Sequence, residues 1–262
     1  MTQLITREKL EYIARKILHY PLHDAEKDYF LTLAMKLVSQ SQLSNKLVFK
    51  GGTAIYHCYL DQLRFSEDLD FTAVDKDIRI EDIKKVLTKD NLFEVKKEYQ
   101  SKTTFKIEKL KYYGVLETPN SIKFEVDHFQ NVVLPAVKKE YRNAWGMVFD
   151  VNVMDPTEIC TEKLRACNDR FRYRDFYDLY MMEKTLDINL KDAIALIPKK
   201  EIRKPFSKKN VIENLNFALN EISKKEDTVT YKKNIDKKDL IKFFNSFELP
   251  TLKINVSEHI QK

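Results

Sequence analysis

The chain has 262 residues, 43% apolar and 33% charged, enough for one large domain or two modest ones with a buried core. Four glycines in all (Gly51, Gly52, Gly114 and Gly146) exclude a dinucleotide fingerprint and a P-loop, and neither a G-x-S-x-G elbow nor an H-E-x-x-H pair occurs. The net charge of +6 sits in one late segment: Lys184 to Lys242 holds 15 basic against 9 acidic residues, while 1–183 hold 29 of each. That segment reads either as a surface for a polyanion or as solvated, lysine-rich helix faces.

In chain order, Leu10, Ile13, Ala14, Ile17 and Leu18 recur at helical spacing until Pro21, and Phe30, Leu33, Ala34, Leu37 and Val38 mark a second helix. The period then changes. Leu47–Phe49 reads as a short strand entering Lys50-Gly51-Gly52-Thr53, with a turn of helix expected from Ala54 to Leu60. Alternation at Leu69 and Phe71 gives a strand, and Ile80–Leu87 a helix. Strands are expected near Phe93–Tyr99, Thr103–Leu110, Ile122–Phe129 and Met147–Val153. After Pro156, helices are expected from Thr157 (as N-cap), over Asp175–Met182, and near Leu190–Ile197, Val211–Ile222 and Leu240–Phe247. The order predicts an α+β fold, with N-terminal helices and an α/β core over 1–155 and a helical half over 156–262.

Charges within residues 1–20 (Arg7, Glu8, Lys9, Glu11, Arg15, Lys16) argue against a signal peptide, and no apolar run nears the ~18 residues of a membrane span. Cys58, Cys160 and Cys167 form no C-x-x-C pair, which suits buried fillers in a reducing compartment. The expectation is a cytoplasmic protein with no membrane partner.

Three elements carry chemistry. The diglycine after a strand and before a helix lets backbone approach a ligand and offers N–H groups to a phosphate, with Lys50 and Thr53 adding a cation and a hydroxyl. The bland alternative is a simple turn. In Ser66-Glu67-Asp68-Leu69-Asp70-Phe71, Asp68 and Asp70 project from the same strand face. Adjacent carboxylates repel unless a cation lies between them, so a hard metal suits them, against a polar edge facing water. In Ile122-Lys123-Phe124-Glu125-Val126-Asp127, Glu125 or Asp127 supplies a third carboxylate, and three carboxylates can hold two Mg²⁺ at a phosphoryl centre. The expectation is that these acids converge beside the diglycine bend.

Gly51-Gly52-Thr53, fourteen residues, then Asp68-Leu69-Asp70, with a later apolar-Glu-apolar strand, resembles the polymerase-β-type nucleotidyltransferase superfamily. Phe49-Lys50-Gly51-Gly52-Thr53 with Arg64-Phe65-Ser66-Glu67-Asp68-Leu69-Asp70-Phe71 resembles, more narrowly, the abortive-infection AbiEii/AbiGii toxin-like nucleotidyltransferases of a bacterial toxin–antitoxin class. Glu162-Lys163-Leu164-Arg165-Ala166 and Arg174-Asp175-Phe176-Tyr177-Asp178-Leu179-Tyr180 are similar to that family's lysine helix and R-D-x-x-D-L block. The likeness covers 46–72 and 158–182. Thr53 and the long spacer depart from the wider superfamily but suit the narrower family.

The resemblance implies a nucleotidyltransferase-type mixed sheet and transfer of NMP from an NTP to an acceptor hydroxyl, with release of pyrophosphate. It implies Mg²⁺ (or Mn²⁺) on Asp68, Asp70 and Glu125, the last preferred over Asp127 for its apolar flanks. It implies a nucleotide held by Lys50, Gly51, Gly52, Thr53, Ser66 and Lys163, with Asp178 orienting Lys163 or the nucleotide. An RNA acceptor such as a tRNA 3′ end and a cognate antitoxin follow from the family alone. The alternatives are a protein or small-molecule hydroxyl as acceptor, or a non-catalytic protein that binds nucleic acid or antitoxin on a vestigial fold. Read structurally instead, Arg174–Asp178 and Arg172–Asp175 are surface pairs of little weight. His57 reads as a packing histidine, Pro21 keeps His19 and His23 from sharing a helix, and His128 is ambiguous. Tyr112, Tyr113, Tyr173, Tyr177 and Tyr180 read as core aromatics rather than base-stacking ones.

Overall fold

The computed structural model describes residues 4–224 and 229–254. It has an α+β fold, and it divides into two compact units between Met154 and Asp155, with Val133–Pro135 belonging to the second. No described helix is long and apolar enough to cross a membrane.

In the first unit, helix α1 (Arg7–Ile13) starts on Thr6, whose hydroxyl accepts from the Lys9 amide, and runs into a π turn at Ala14–Leu18. Pro21 separates it from α2 (Leu22–Ser39). Seven strands follow: β1 (Leu47–Lys50), β2 (Asp68–Ala73), β3 (Phe93–Gln100), β4 (Thr104–Tyr112), β5 (Asn120–Asp127), β6 (Val137–Glu140) and β7 (Asp150–Val153). They form one mixed sheet in the order β3-β4-β5-β2-β1-β7-β6, with β2–β5 and β1–β7 parallel and the other pairs antiparallel. Two helices interrupt the strands, α3 (Gly51–Ala54), continued by a π turn at Ile55–Tyr59, and α4 (Ile80–Thr88).

One face of the central strands is a phenylalanine ladder. Phe49 lies 5.3 Å from Phe71 and Phe71 4.7 Å from Phe124, ring centre to ring centre, all of them buried. Helix α2 meets the sheet through Phe30, stacked on Tyr112 at 3.9 Å. Ile107 and Leu110 both point inward although their spacing is odd. A bulge in β4 between them reconciles this, because one extra residue switches the face that follows.

The structure departs from the sequence expectations in four places. The helix after the diglycine starts at Gly51 rather than Ala54. The strand expected from Met147 begins at Asp150, and β6 was not foreseen, since Val-Lys-Lys-Glu offers a single apolar residue and only pairing with β7 makes it a strand. In the second unit, Asp155 rather than Thr157 caps α5 (Pro156–Asp169): its Oδ1 accepts from the Thr157 amide at 2.8 Å, and Pro156 occupies the first turn.

The second unit continues with α6 (Tyr173–Thr185), α7 (Leu190–Leu196), α8 (Lys208–Ser223) and α9 (Lys237–Asn245). Thr161 Oγ1 donates to the Ala193 carbonyl at 2.8 Å and ties α5 to α7. Charge is buried at the same helix. Lys200 Nζ lies 2.6 Å from Glu158 and 2.8 Å from Glu162, with both Lys200 and Glu158 fully buried. Glu158 also accepts the Val133 and Leu134 amides at 2.8–3.0 Å, so its carboxylate is saturated. Removing one partner of such a pair strands the other's charge in a low-dielectric interior. Glu158→Ala is therefore expected to lower unfolding free energy by about 3–5 kcal/mol in urea titrations followed by circular dichroism, and a loss under ~1 kcal/mol would contradict this account of the pair.

Candidate active site

The site begins with strand register. Lys50 pairs with Asp70 across β1–β2, Asp70 with Glu125 across β2–β5, and Glu125 with Lys106 across β5–β4. Paired residues share a face of a sheet, so Lys50, Asp70, Glu125 and Lys106 form one row, opposite the phenylalanine ladder. Asp68 and its partner Lys123 lie one step along the same face.

The diglycine closes this row at β1. Gly51 has φ +81°, a conformation costly for other residues, and a Cβ there would lie 2.5 Å from Asp70 Oδ2. A Cβ on Gly52 would lie 2.5 Å from Arg64 Nη2 and 2.7 Å from Ser66 Oγ. Side chains of the Arg64–Asp70 segment thus press on both glycines, and the positive φ adds a backbone constraint at Gly51. Thr53 is fully buried, donates to the Asp68 carbonyl at 2.5 Å and shares a 3.0 Å hydrogen bond with Ser66 Oγ. The structure thus places Thr53 and Ser66 as ties between the turn and the start of β2.

Lysines stand close to three of the acids on these strands. Lys106 Nζ lies 2.8 Å from Glu125, Lys123 Nζ 3.8 Å from Asp68 and Lys50 Nζ 3.7 Å from Asp127. The hydrogen bond to Glu125 raises the Lys106 ammonium above its ordinary value against the opposing effect of partial burial. Lys106 and Lys123 escaped the sequence reading because only the β4–β5 and β2–β5 registers bring them here.

The two candidates for third carboxylate differ in what they hold. Asp127 Oδ1 accepts the Phe129 and Gln130 amides at 2.8 and 3.0 Å, a turn-forming role, whereas Glu125 stands in register beside Asp70. The expected convergence is met in register but not in coordination distance: among the described residues no group of three acids or other ligating side chains is gathered closely enough to hold a metal. Repulsion between neighbouring carboxylates and attraction to lysines on adjacent strands account for the spread. Even so, the donors suit a hard divalent ion, being carboxylate oxygens on one face, and Asp68 Oδ1 is buried without a hydrogen-bond partner.

The second unit holds its own cluster. Lys163 Nζ lies 2.6 Å from Asp178 and 3.0 Å from Asp175, and Arg170 reaches Asp175 at 2.8 Å. Both aspartates are fully buried, so the surface pairs with Arg172 and Arg174 considered from sequence give way to an internal network. Burial by itself would raise the Asp175 carboxyl, but Lys163 and Arg170 outweigh it and hold it well below the usual range. Asp178 is the nearer of the two carboxylates to the Lys163 ammonium.

The remaining candidates are structural. His57 is buried with Nδ1 2.7 Å from the Arg142 carbonyl and Nε2 3.3 Å from Asp28, which also accepts from Trp145 Nε1 at 2.8 Å. His128 lies against Phe105 with ring centres 4.0 Å apart. All three cysteines are buried, and burial pushes the Cys58 and Cys160 thiols up to about 12. Tyr112, Tyr173 and Tyr177 are buried, while Tyr113 is exposed.

With this geometry in place, comparison with known proteins settles the family. The sequence pattern of the AbiEii nucleotidyl transferase toxins of type IV toxin–antitoxin systems matches residues 33–250. The chain belongs to that family. It is a nucleotidyltransferase of toxin type, and NTP is the substrate such enzymes use. Among solved structures it is similar to MenT4, a nucleotidyltransferase toxin of Mycobacterium tuberculosis, with 24% identity over 72% of this chain and 68% of that one and a TM-score of 0.60. It is also similar to JHP933 of Helicobacter pylori, with 18% identity over 85% and 88% of the two chains and a TM-score of 0.50. At these identities the likeness is one of fold. No curated protein sequence matches closely.

Gly51→Ala is expected to force Asp70 out of the row. Nucleotidyl transfer should fall on the order of 100-fold, as a displacement near 1 Å at a reacting centre commonly costs. Stability should fall by only about 1–2 kcal/mol. Activity within twofold of wild type would show that the contact between the turn and Asp70 is dispensable.

Proposed function

We propose that this toxin-type enzyme is a divalent-metal-dependent nucleotidyltransferase that moves NMP onto an RNA hydroxyl, the 3′ end of a tRNA, with pyrophosphate as the other product. The observation that carries the reading is the row Lys50–Asp70–Glu125–Lys106 against a diglycine turn that admits no Cβ. Asp68, Asp70 and Glu125 would hold Mg²⁺ or Mn²⁺, which when bound supplies charge neutralisation around the α-phosphate.

The chain's own residues do the rest. The Gly51–Gly52 backbone lies against the triphosphate, where the absence of side chains permits close approach. Lys50 offsets phosphate charge at the edge of the row, in the manner of a preorganised cation. Thr53 and Ser66 act through the turn, fixing β2 to it. The acceptor hydroxyl oxygen forms a bond to the α-phosphorus while the bond to the β-phosphate oxygen breaks. Its proton passes to a carboxylate, which this reading assigns to Glu125. From the second unit the proposal keeps Lys163 as a triphosphate-binding cation and Asp178 as the side chain that orients it. The supports are the family resemblance and the 2.6 Å pair between them.

Membership of a toxin–antitoxin family supports a cognate antitoxin as partner, and the late basic segment supports a polyanionic acceptor. The abortive-infection role and the cytoplasmic setting are proposed on the same family basis. The test is transfer from each labelled NTP, with Mg²⁺ or Mn²⁺, to separate pools of RNA and protein. Label is expected on RNA, and Asp70→Asn is expected to lower it by about 10³-fold or more, the scale at which a lost electrostatic centre acts. Label on protein alone would overturn the RNA acceptor, and unchanged transfer by Asp70→Asn would overturn the site.

A further inference from the structure

The second unit exposes two aromatic rings side by side. Phe171, in the short connection between α5 and α6, is 46% exposed, and Phe217, on α8, is 60% exposed. Their ring centres are 5.9 Å apart. Large apolar side chains left in water next to each other need a reason, because burying either would be favourable. Neither ring belongs to the acidic row or to the Lys163 network.

Cations lie along the segments that carry the pair. Arg170 and Arg172 flank Phe171 in the chain, and both are exposed. Lys204 is held beside the same connection by a 2.9 Å hydrogen bond to the Asp169 carbonyl. Along α8, Lys209, Glu213 and Glu221 share the face of Phe217 at four-residue steps, and Lys209 lies 3.8 Å from the Glu213 carboxylate. The stretch from Lys184 to Lys242 that contributes Lys204, Lys209 and Phe217 is the one holding the chain's whole positive excess.

We infer that Phe171 and Phe217 form a stacking platform for unpaired bases of a single-stranded RNA segment, with Arg172 and Lys204 taking the adjoining phosphates. Aromatic faces beside guanidinium and ammonium groups are the combination that binds single strands, since every base has a π-face and every nucleotide a phosphate. An apolar protein partner fits less well. Among the described residues of this unit the other large, exposed apolar side chains are Ile241 and Ile254, so the two rings fall short of the contiguous apolar area a protein interface uses. The inference deepens the RNA-acceptor reading and rests on it: it names how the acceptor strand is held, apart from the chemistry.

The experiment is fluorescence anisotropy of the full-length chain with a labelled single-stranded oligoribonucleotide of about 12 nucleotides, within the span such sites use. It is paired with steady-state transfer kinetics on RNA. Phe171→Ala/Phe217→Ala should weaken binding by roughly 10-fold or more and raise KM for RNA similarly, leaving KM for NTP and kcat within about twofold. Phe171→Trp/Phe217→Trp should restore binding, which a merely structural role would not explain. Lys204→Glu should weaken binding and flatten its salt dependence. Wild-type binding that the double alanine variant retains would overturn the platform while leaving RNA as acceptor. A wild type that neither binds nor labels RNA would overturn both. Loss of antitoxin binding with RNA binding intact would reassign the rings to the protein partner and overturn the inference.

Discussion

The architecture of the first unit turns on a contact between backbone and carboxylate. At Gly51 the chain adopts a positive φ, and Asp70 Oδ2 occupies the space a Cβ would fill. That contact presses the turn onto β2, and Thr53 fastens the same two segments from the buried side through the Asp68 carbonyl. Once β2 is fixed there, parallel pairing with β5 puts Glu125 beside Asp70, and antiparallel pairing with β4 adds Lys106. The chemistry of the face therefore depends on the turn's geometry before it depends on any single acid.

The sheet keeps the two faces of these strands distinct. Phe49, Phe71 and Phe124 stack on the inner side, a buried area that makes any one-residue slip expensive, because a slip would send phenylalanines to water and carboxylates to the core. Hydrophobic burial thereby holds like charges at neighbouring positions, and lysines on adjacent strands offset them. The second unit uses another device. Lys200 with Glu158 and Glu162, and Lys163 with Asp175 and Asp178, are charges neutralised inside a helical body. Such pairs gain little net stability but penalise alternative packings in which either partner would stand alone.

Much of this was legible in the chain. The Gly51-Gly52 pair, the D-x-D alternation and the apolar flanks of Glu125 marked the candidate site, and the resemblance to the AbiEii family proved to be membership of it. Period-2 alternation marked β2 and β5 because each has one buried face. Strand β6 was not legible, since its pairing is with β7 and its own residues carry no pattern. The roles of Lys106 and Lys123 depend on register, which no local signal encodes. For Asp175 and Asp178 the sequence left two readings, Asp178 beside Lys163 or surface pairs with nearby arginines, and the buried network that Lys163 on α5 and Arg170 in the connection make with them replaces the surface pairs. The exposed pair Phe171 and Phe217, separated by 46 positions, likewise has no trace in periodicity.

The sharpest test separates Glu125 from Asp127, since the account assigns one to the divalent ion and the other to a backbone turn. Binding of Mn²⁺ in the presence of NTP, followed by electron paramagnetic resonance, reads this without requiring turnover. Glu125→Gln should weaken Mn²⁺ binding by at least about 10-fold, while Asp127→Asn, which keeps the turn-forming oxygen, should stay within about twofold of wild type. The opposite ranking, or equal binding by all three proteins, would contradict the assignment of the row as the catalytic centre.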